Sequence, residues 1–191
     1  GGAGGTVLNN CVLSGNVVSG YEAKGGGSYH CMLNNCTLVD NAASDYGGGV
    51  YGSTLNNCII YFNTAPSGPN YDGSAMFTTL LNYCCTTPMP TSGTQNITND
   101  PQFVNTVSPN IDLRLTTKSL CIDGGQNQPW MVGVCDLDGN SRINNGAVDM
   151  GAYEFHFDAN LKAFLQGPYD TNAHAMTIAL SSNLPNTAPY V

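Results

Sequence analysis

Basic side chains are scarce in this chain. Lys and Arg number 5 in 191 residues against 13 Asp and Glu, so the formal net charge is -8 and no basic patch can be assembled. Nucleic acid and anionic lipid surfaces are therefore excluded as favoured partners, because both are bound through clusters of positive charge. Charged residues of all kinds make up only 9%, and the helix-favouring Lys and Glu are few. Long helices are unsupported on that composition. An apolar run long enough to span a bilayer is also missing, so membrane insertion is not expected. No charged segment followed by an apolar stretch opens the chain, and no signal peptide is visible. The chain begins at "GGAGG", inside a repeating pattern, as expected of a fragment or of a chain whose leader has been removed.

What is present is glycine, 23 residues of it, with much Asn and Thr and a 41% hydrophobic content sufficient for a core. That mixture suits short strands joined by tight turns. The order within it is a repeat. "LNNC" starts at Leu8, Leu33 and Leu55, and its variant "LNYC" at Leu81, giving spacings of 25, 22 and 26 residues. Glycine clusters precede three of these: Gly25 to Gly27, Gly47 to Gly49, and Gly73. Five residues beyond Cys11, Cys36 and Cys58 stand Asn16, Asn41 and Asn63, whereas Met89 follows Cys84 at that interval.

A unit of about 24 residues cannot close a core alone, but stacked units can. The expected fold is all-β: a right-handed parallel β-helix, or solenoid, with irregular C-terminal coils and a β-strand extension. The right hand follows from the general bias of parallel crossovers. Regular coils are expected over 1–87, irregular terminal coils over 88–155 and the extension over 156–191. Leu8, Leu33, Leu55 and Leu81 should form one inward ladder, and Cys11, Cys36, Cys58 and Cys84 a second. Asn16, Asn41 and Asn63 should form a third, with amides bonding along the axis. Alternation places Leu13, Leu38 and Ile60 inward and Val12, Thr37 and Ile59 outward. The Asn-Asn pair is expected to make the bend between Leu and Cys, since Asn tolerates the left-handed region.

The run "LNNCTLVDNAASDYGGGVYGSTLNNCIIYFNTA" resembles the coils of bacterial right-handed β-helix surface proteins of the pectate-lyase-like superfamily. "NITNDPQFV", "SLCIDGG" and "DLDGNSRINNGAVDMGAYE" are similar to the terminal region of proteins labelled choice-of-anchor Q. The match covers about residues 1 to 155. It implies an extracellular, cell-surface protein. "LKAFL" and "MTIAL" in the tail read as strands, and the tail resembles a segment found near the C-termini of secreted bacterial proteins.

Candidate chemistry is thin. Asp136, Asp138 and Asn140 in "DLDGN" offer oxygen ligands for calcium, the only cofactor considered, although the segment equally suits a polar turn. His30, His156 and His174 lack ligand spacing. Disulfides among Cys31, Cys85, Cys121 and Cys135, with Cys84 also available, fit an exported protein. "NCT" at Asn35 and "NIT" at Asn96 match the glycosylation sequon of a glycoprotein. The basic residues Lys24, Lys118, Lys162, Arg114 and Arg142 lie outside the coil strands, so the pairing of base and acids that a polysaccharide lyase requires is not expected, nor is an enzyme.

The leading functional expectation is a structural protomer of an extracellular filament or surface array. A first coil opening on glycine offers unpaired backbone groups and an apolar cross-section, a surface that recruits further copies of the chain by head-to-tail stacking and strand addition. The alternative is a carbohydrate-binding or adhesive module using Tyr21, Tyr29, Tyr46, Tyr51 and Tyr71 to stack on surface glycans. A lyase-like enzyme is third.

Overall fold

The computed structural model describes residues 1–73 and 78–156. The chain divides into two compact units after Phe155, and the strands among the described residues lie in the first. The expected tail strands "LKAFL" and "MTIAL" lie outside the described residues.

Four short strands make the first rung: β1 (Ala3–Gly4), β2 (Val7–Asn9), β3 (Val12–Ser14) and β4 (Val17–Val18). The second rung repeats them as β5 (Ser28–Tyr29), β6 (Met32–Asn34), β7 (Thr37–Val39) and β8 (Ala42–Ala43). The third supplies β9 (Val50–Tyr51), β10 (Thr54–Asn56) and β11 (Ile59–Tyr61), and a fourth, partial rung supplies β12 (Leu80–Asn82) and β13 (Cys85–Thr86). All neighbouring rungs pair in parallel, forming sheets β1-β5-β9, β2-β6-β10-β12, β3-β7-β11-β13 and β4-β8. The fold is a parallel β-solenoid of about three turns. A rung of two- and three-residue strands has no independent stability, so each owes its place to the rungs above and below.

Register is set by the repeat. Leu8 lies opposite Leu33, Leu33 opposite Leu55, and Leu55 opposite Leu81. Leu33, Leu55 and Leu81 are 0% exposed and join Cys36, Leu38, Cys58, Ile60 and Cys84 in one axial core. The bend between Leu and Cys falls on a left-handed residue in every rung: Asn10 (φ 53°), Asn35 (φ 48°), Asn57 (φ 54°) and Tyr83 (φ 52°). At the glycine corner, Gly47 holds φ 61°. A Cβ on the adjacent Gly48 would sit 2.2 Å from the carbonyl oxygen of Thr64, so only glycine lets the two rungs approach.

After β13 the stack gains one more fragment. Ile97 bridges to Cys85, and Tyr83 donates its N–H to Thr94 O at 2.8 Å. Beyond Ile97 no further parallel pairing is present among the described residues. β14 (Phe103–Asn105) and β15 (Asp112–Leu115) form an antiparallel hairpin. "AVDMGAYEF" forms no strand and contributes one bridge, Asn144 to Ala147. Instead, this segment covers the outer side of β3-β7-β11-β13. Met150, Cys121 and Leu115 pack with Ile59 and Cys85 into a second core, and Ala152 N–H donates to Thr37 Oγ1 at 3.0 Å. Thr37 and Ile59, expected outward, do point away from the axial core yet are buried. The outward row is too apolar to be left in water, and covering it removes that surface from solvent.

All eight cysteines are free thiols, so the expected disulfides are absent. Cys85 and Cys121 do meet, within the second core, and their contact together with burial pushes the Cys85 thiol up. Burial does the same to Cys58. Buried thiols of this kind are inert. In the native protein Cys135, which is exposed, should react first with a thiol reagent and half-buried Cys11 more slowly. The six buried thiols should react only on unfolding. Three or more fast equivalents in a native titration would contradict this packing.

Candidate interaction surfaces

The two asparagines of "LNNC" have separate tasks. The first forms a half-buried ladder: Asn34 Nδ2 donates to Asn9 Oδ1 at 2.8 Å, Asn56 to Asn34 at 3.0 Å, and Asn82 to Asn56 at 3.3 Å. The second makes the bend and also grips the segment that returns along the flank. Asn10 Nδ2 donates to Cys135 O at 3.1 Å, Asn35 Nδ2 to Asp149 O at 3.1 Å and Asn57 Nδ2 to Gln126 O at 2.9 Å. Gln126 N–H returns a bond to Asn57 Oδ1 at 2.7 Å.

The interior asparagine ladder joins Asn16, Asn41 and Asn63, and ends on Asn70. Asn41 Oδ1 accepts from the N–H and Nδ2 of Asn16, and Asn63 Oδ1 accepts both equivalent bonds from Asn41. Asn70 Oδ1 then accepts both from Asn63, each at 3.1 Å. Sequence spacing missed Asn70 because it lies seven residues after Asn63 in a shortened turn, not one repeat later. The cysteine ladder has a similar terminus. The N–H of Cys36 approaches Cys58 Sγ at 3.4 Å, and that of Cys58 approaches Cys84 Sγ at 3.4 Å. Asn96 stands where the next cysteine would, accepting from Cys84 N–H at 2.9 Å and donating to Leu81 O at 2.9 Å.

These bonds correct the sequon reading. Asn35 is fully buried and its Nδ2 is committed to Asp149 O, while the Asn96 amide closes the cysteine ladder. Neither amide nitrogen is available for a glycan in this fold.

The calcium candidates are similarly committed. Asp136 Oδ1 accepts from the N–H groups of Asp138 and Asn140 at 2.9 and 2.8 Å, and its Oδ2 accepts from Glu154 N–H at 2.8 Å. Asp138 turns to Arg114, in a two-pronged ion pair with distances of 2.6 and 2.7 Å. This is the polar turn, with its carboxylates used on backbone and guanidinium. Among the described residues no group of three or more His, Cys, Asp or Glu is arranged to hold a metal.

Nearby, Arg142 is 0% exposed and pairs with buried Glu154 at 2.9 Å, while donating to Asp149 O and Gly151 O. Burial pushes the Glu154 carboxyl up to about 8, against the opposing attraction of Arg142. In the sequence Arg142 is a base outside the coil strands, and its burial has no local sequence signal.

The five tyrosines do not form one open face. Tyr51 and Tyr71 are buried, Tyr71 at the inward position opposite Val50. Tyr21, at 96%, Tyr29 and Tyr46 are exposed. Tyr29 stacks on Tyr51 with centroids 5.6 Å apart, and the Lys24 ammonium lies over the rings of Tyr46 and Tyr51. His30 meets Tyr29 edge-on. Most of this aromatic surface is thus spent on contacts within the molecule.

Beside the corner after β7 and β11, the hairpin loop closes a cleft of about 290 Å³ that includes Asp40, Phe62, Thr106 and Ser108. Nothing in the sequence pattern joined these residues, since the hairpin was not expected to pack there. No protein family, curated protein or solved structure matches the chain. No helix among the described residues is long and apolar enough to cross a membrane.

Proposed function

We propose that the chain is a non-catalytic structural protomer of an extracellular filament or cell-surface array, wound with a right hand and extended by rung-on-rung stacking. One observation carries this reading. The rungs are mutually complementary, since the same leucine, cysteine and asparagine columns run in parallel register from each rung to the next. A further rung laid on β1, β2 and β3 would extend these columns and both asparagine ladders with bonds of the kind already present within the molecule. A second copy of this chain, stacked head to tail, is the partner we propose; such a contact propagates.

The weak charge of the coils favours close approach between copies. The placement outside the cell, and kinship with choice-of-anchor Q surface proteins, rest on the resemblance of the repeat and terminal motifs. Burial of six thiols is compatible with an oxidising exterior. The non-catalytic reading draws support from the basic residues: Lys24, Arg114 and Arg142 are each paired with a carboxylate.

Negative-stain imaging and sedimentation of the native material test the proposal. Fibres whose axial repeat is a multiple of about 4.8 Å are expected. A single species of 20.0 kDa that persists on concentration would refute it.

A further inference from the structure

The position that follows β3, β7 and β11 is left-handed in all three rungs, and its occupants are Gly15 (φ 68°), Asp40 (φ 56°) and Phe62 (φ 58°). Glycine is at ease there and aspartate tolerates it, but a bulky aromatic residue is strained. Phe62 moreover gains no burial in return, being 45% exposed. Its ring is held edge-on by Tyr61, with centroids 4.9 Å apart and planes at 69°. A strained backbone that displays an apolar ring in water serves no purpose in the core and points to use of the ring on the surface.

The ring forms part of the wall of the cleft described above. Val39 and Leu113, both buried, and the exposed Ile111 supply the rest of its apolar lining. Three oxygen-bearing side chains complete the lining: Asp40, Thr106 and Ser108. None of these three side chains makes a hydrogen bond or ion pair among the described residues. The loop that carries Thr106 and Ser108 is braced by bonds of the neighbouring residues. Val107 donates its N–H to Asn105 Oδ1 at 3.0 Å, and Asn105 Nδ2 donates to Asn110 O at 2.6 Å across the same loop.

We infer that this cleft binds one pyranose ring of a neutral saccharide, with the C–H face of the sugar on Phe62 and its hydroxyls donating to Asp40 and exchanging bonds with Thr106 and Ser108. The volume falls just below the ~300–1,000 Å³ of small-molecule sites, which suits a single ring rather than a long chain. A pyranose has one apolar face and a rim of hydroxyls, the complement of one ring beside several unused oxygens. Acidic sugars are disfavoured by Asp40 and by the net charge of -8. An organic cation would welcome the carboxylate, but cages for such ligands use several aromatic faces, and here a single ring lines the cleft. This site is separate from the tyrosines and does not depend on the stacking proposal.

Titration of the full chain, by saturation-transfer NMR, with methyl glycosides of glucose, galactose, mannose and N-acetylglucosamine tests the inference. Galacturonate and choline serve as the acidic and cationic comparisons. Saturable binding of at least one neutral glycoside is expected with Kd of about 1 mM. Asp40→Asn should weaken it by about tenfold, a loss of about 1.4 kcal/mol. Phe62→Gly should abolish it while leaving the melting temperature unchanged or higher, because glycine relieves the strained position. A residue kept for structure would instead lower the melting temperature when replaced. The inference is overturned if no neutral glycoside saturates the protein at about 50 mM, if choline or galacturonate binds in preference, or if the variants bind as the parent does.

Discussion

Asn63→Ala is expected to lower the stability of the solenoid by about 3–5 kcal/mol, among the largest effects available to a single side chain. The amide of Asn63 is engaged on all sides. Its Oδ1 accepts from the N–H and Nδ2 of Asn41, and its Nδ2 donates to Leu38 O, Tyr61 O and Asn70 Oδ1. Removing it strands buried groups on two neighbouring rungs, each costing about 1–3 kcal/mol when left without a partner. The corresponding fall in Tm is about 10 °C for a unit of this size. Asn16→Ala, at the half-exposed end of the same ladder, should cost about 1 kcal/mol or less, because the backbone N–H of residue 16 still satisfies Asn41 Oδ1. Thermal and urea denaturation of both variants decide the matter. Equal losses at the two positions would mean that axial amide bonding is not what holds the rungs in register.

The contrast between those two asparagines shows what a repeat does and does not disclose. The stack itself was legible because like residues recur at the same place in each unit, and a polar residue repeated beside a buried strand has to bond to its own copies. Leu33 over Leu55 and Asn41 over Asn63 follow from that reasoning alone. The ends of the ladders were not legible. Asn70 and Asn96 occupy positions outside the period, and each is recruited because the last rung leaves a donor or acceptor unsatisfied. The second core escaped for a different reason. Alternation sorted Thr37 and Ile59 to the outer face, which is where they point, but period two cannot say whether that face meets water or another part of the chain. The sequence "CIIY" held a clue, since a strand apolar on both faces is commonly covered on both. Asn10, Asn35 and Asn57 look like turn residues in any window of the sequence, and only the return of a segment about 70 to 125 residues further on gives them their second task. The cleft beside Phe62 lay beyond reach for the same reason: its two halves belong to the repeat and to a hairpin that the repeat does not foreshadow.

That returning segment is pinned by the buried pair of Arg142 and Glu154, and there the second large effect is expected. Arg142→Met should destabilise the fold by about 2–4 kcal/mol at neutral pH, since it takes the donor from the buried Glu154 carboxyl and from Gly151 O and one of the two donors from Asp149 O. The pair is an expensive one even when intact: Arg142 Nε and Nη1 are buried without partners, and burial raises Glu154 from 4.5 to about 8. Between those two values the folded chain holds a proton that the unfolded chain has released. Stability contributed by Glu154 is therefore full below about pH 4.5 and is lost as pH rises toward 8. Asp149, raised in the same direction chiefly by burial, adds to the trend. Melting of the parent protein should accordingly fall between pH 5 and pH 8. Glu154→Gln, which mimics the protonated acid, should match the parent at pH 5 and exceed it at pH 8. In Arg142→Met the fall should steepen, because the attraction that opposes the shift is gone. A parent protein that melts higher at pH 8 than at pH 5, with Glu154→Gln showing the same rise, would place the proton elsewhere and leave Glu154 as an ordinary ionised partner of Arg142.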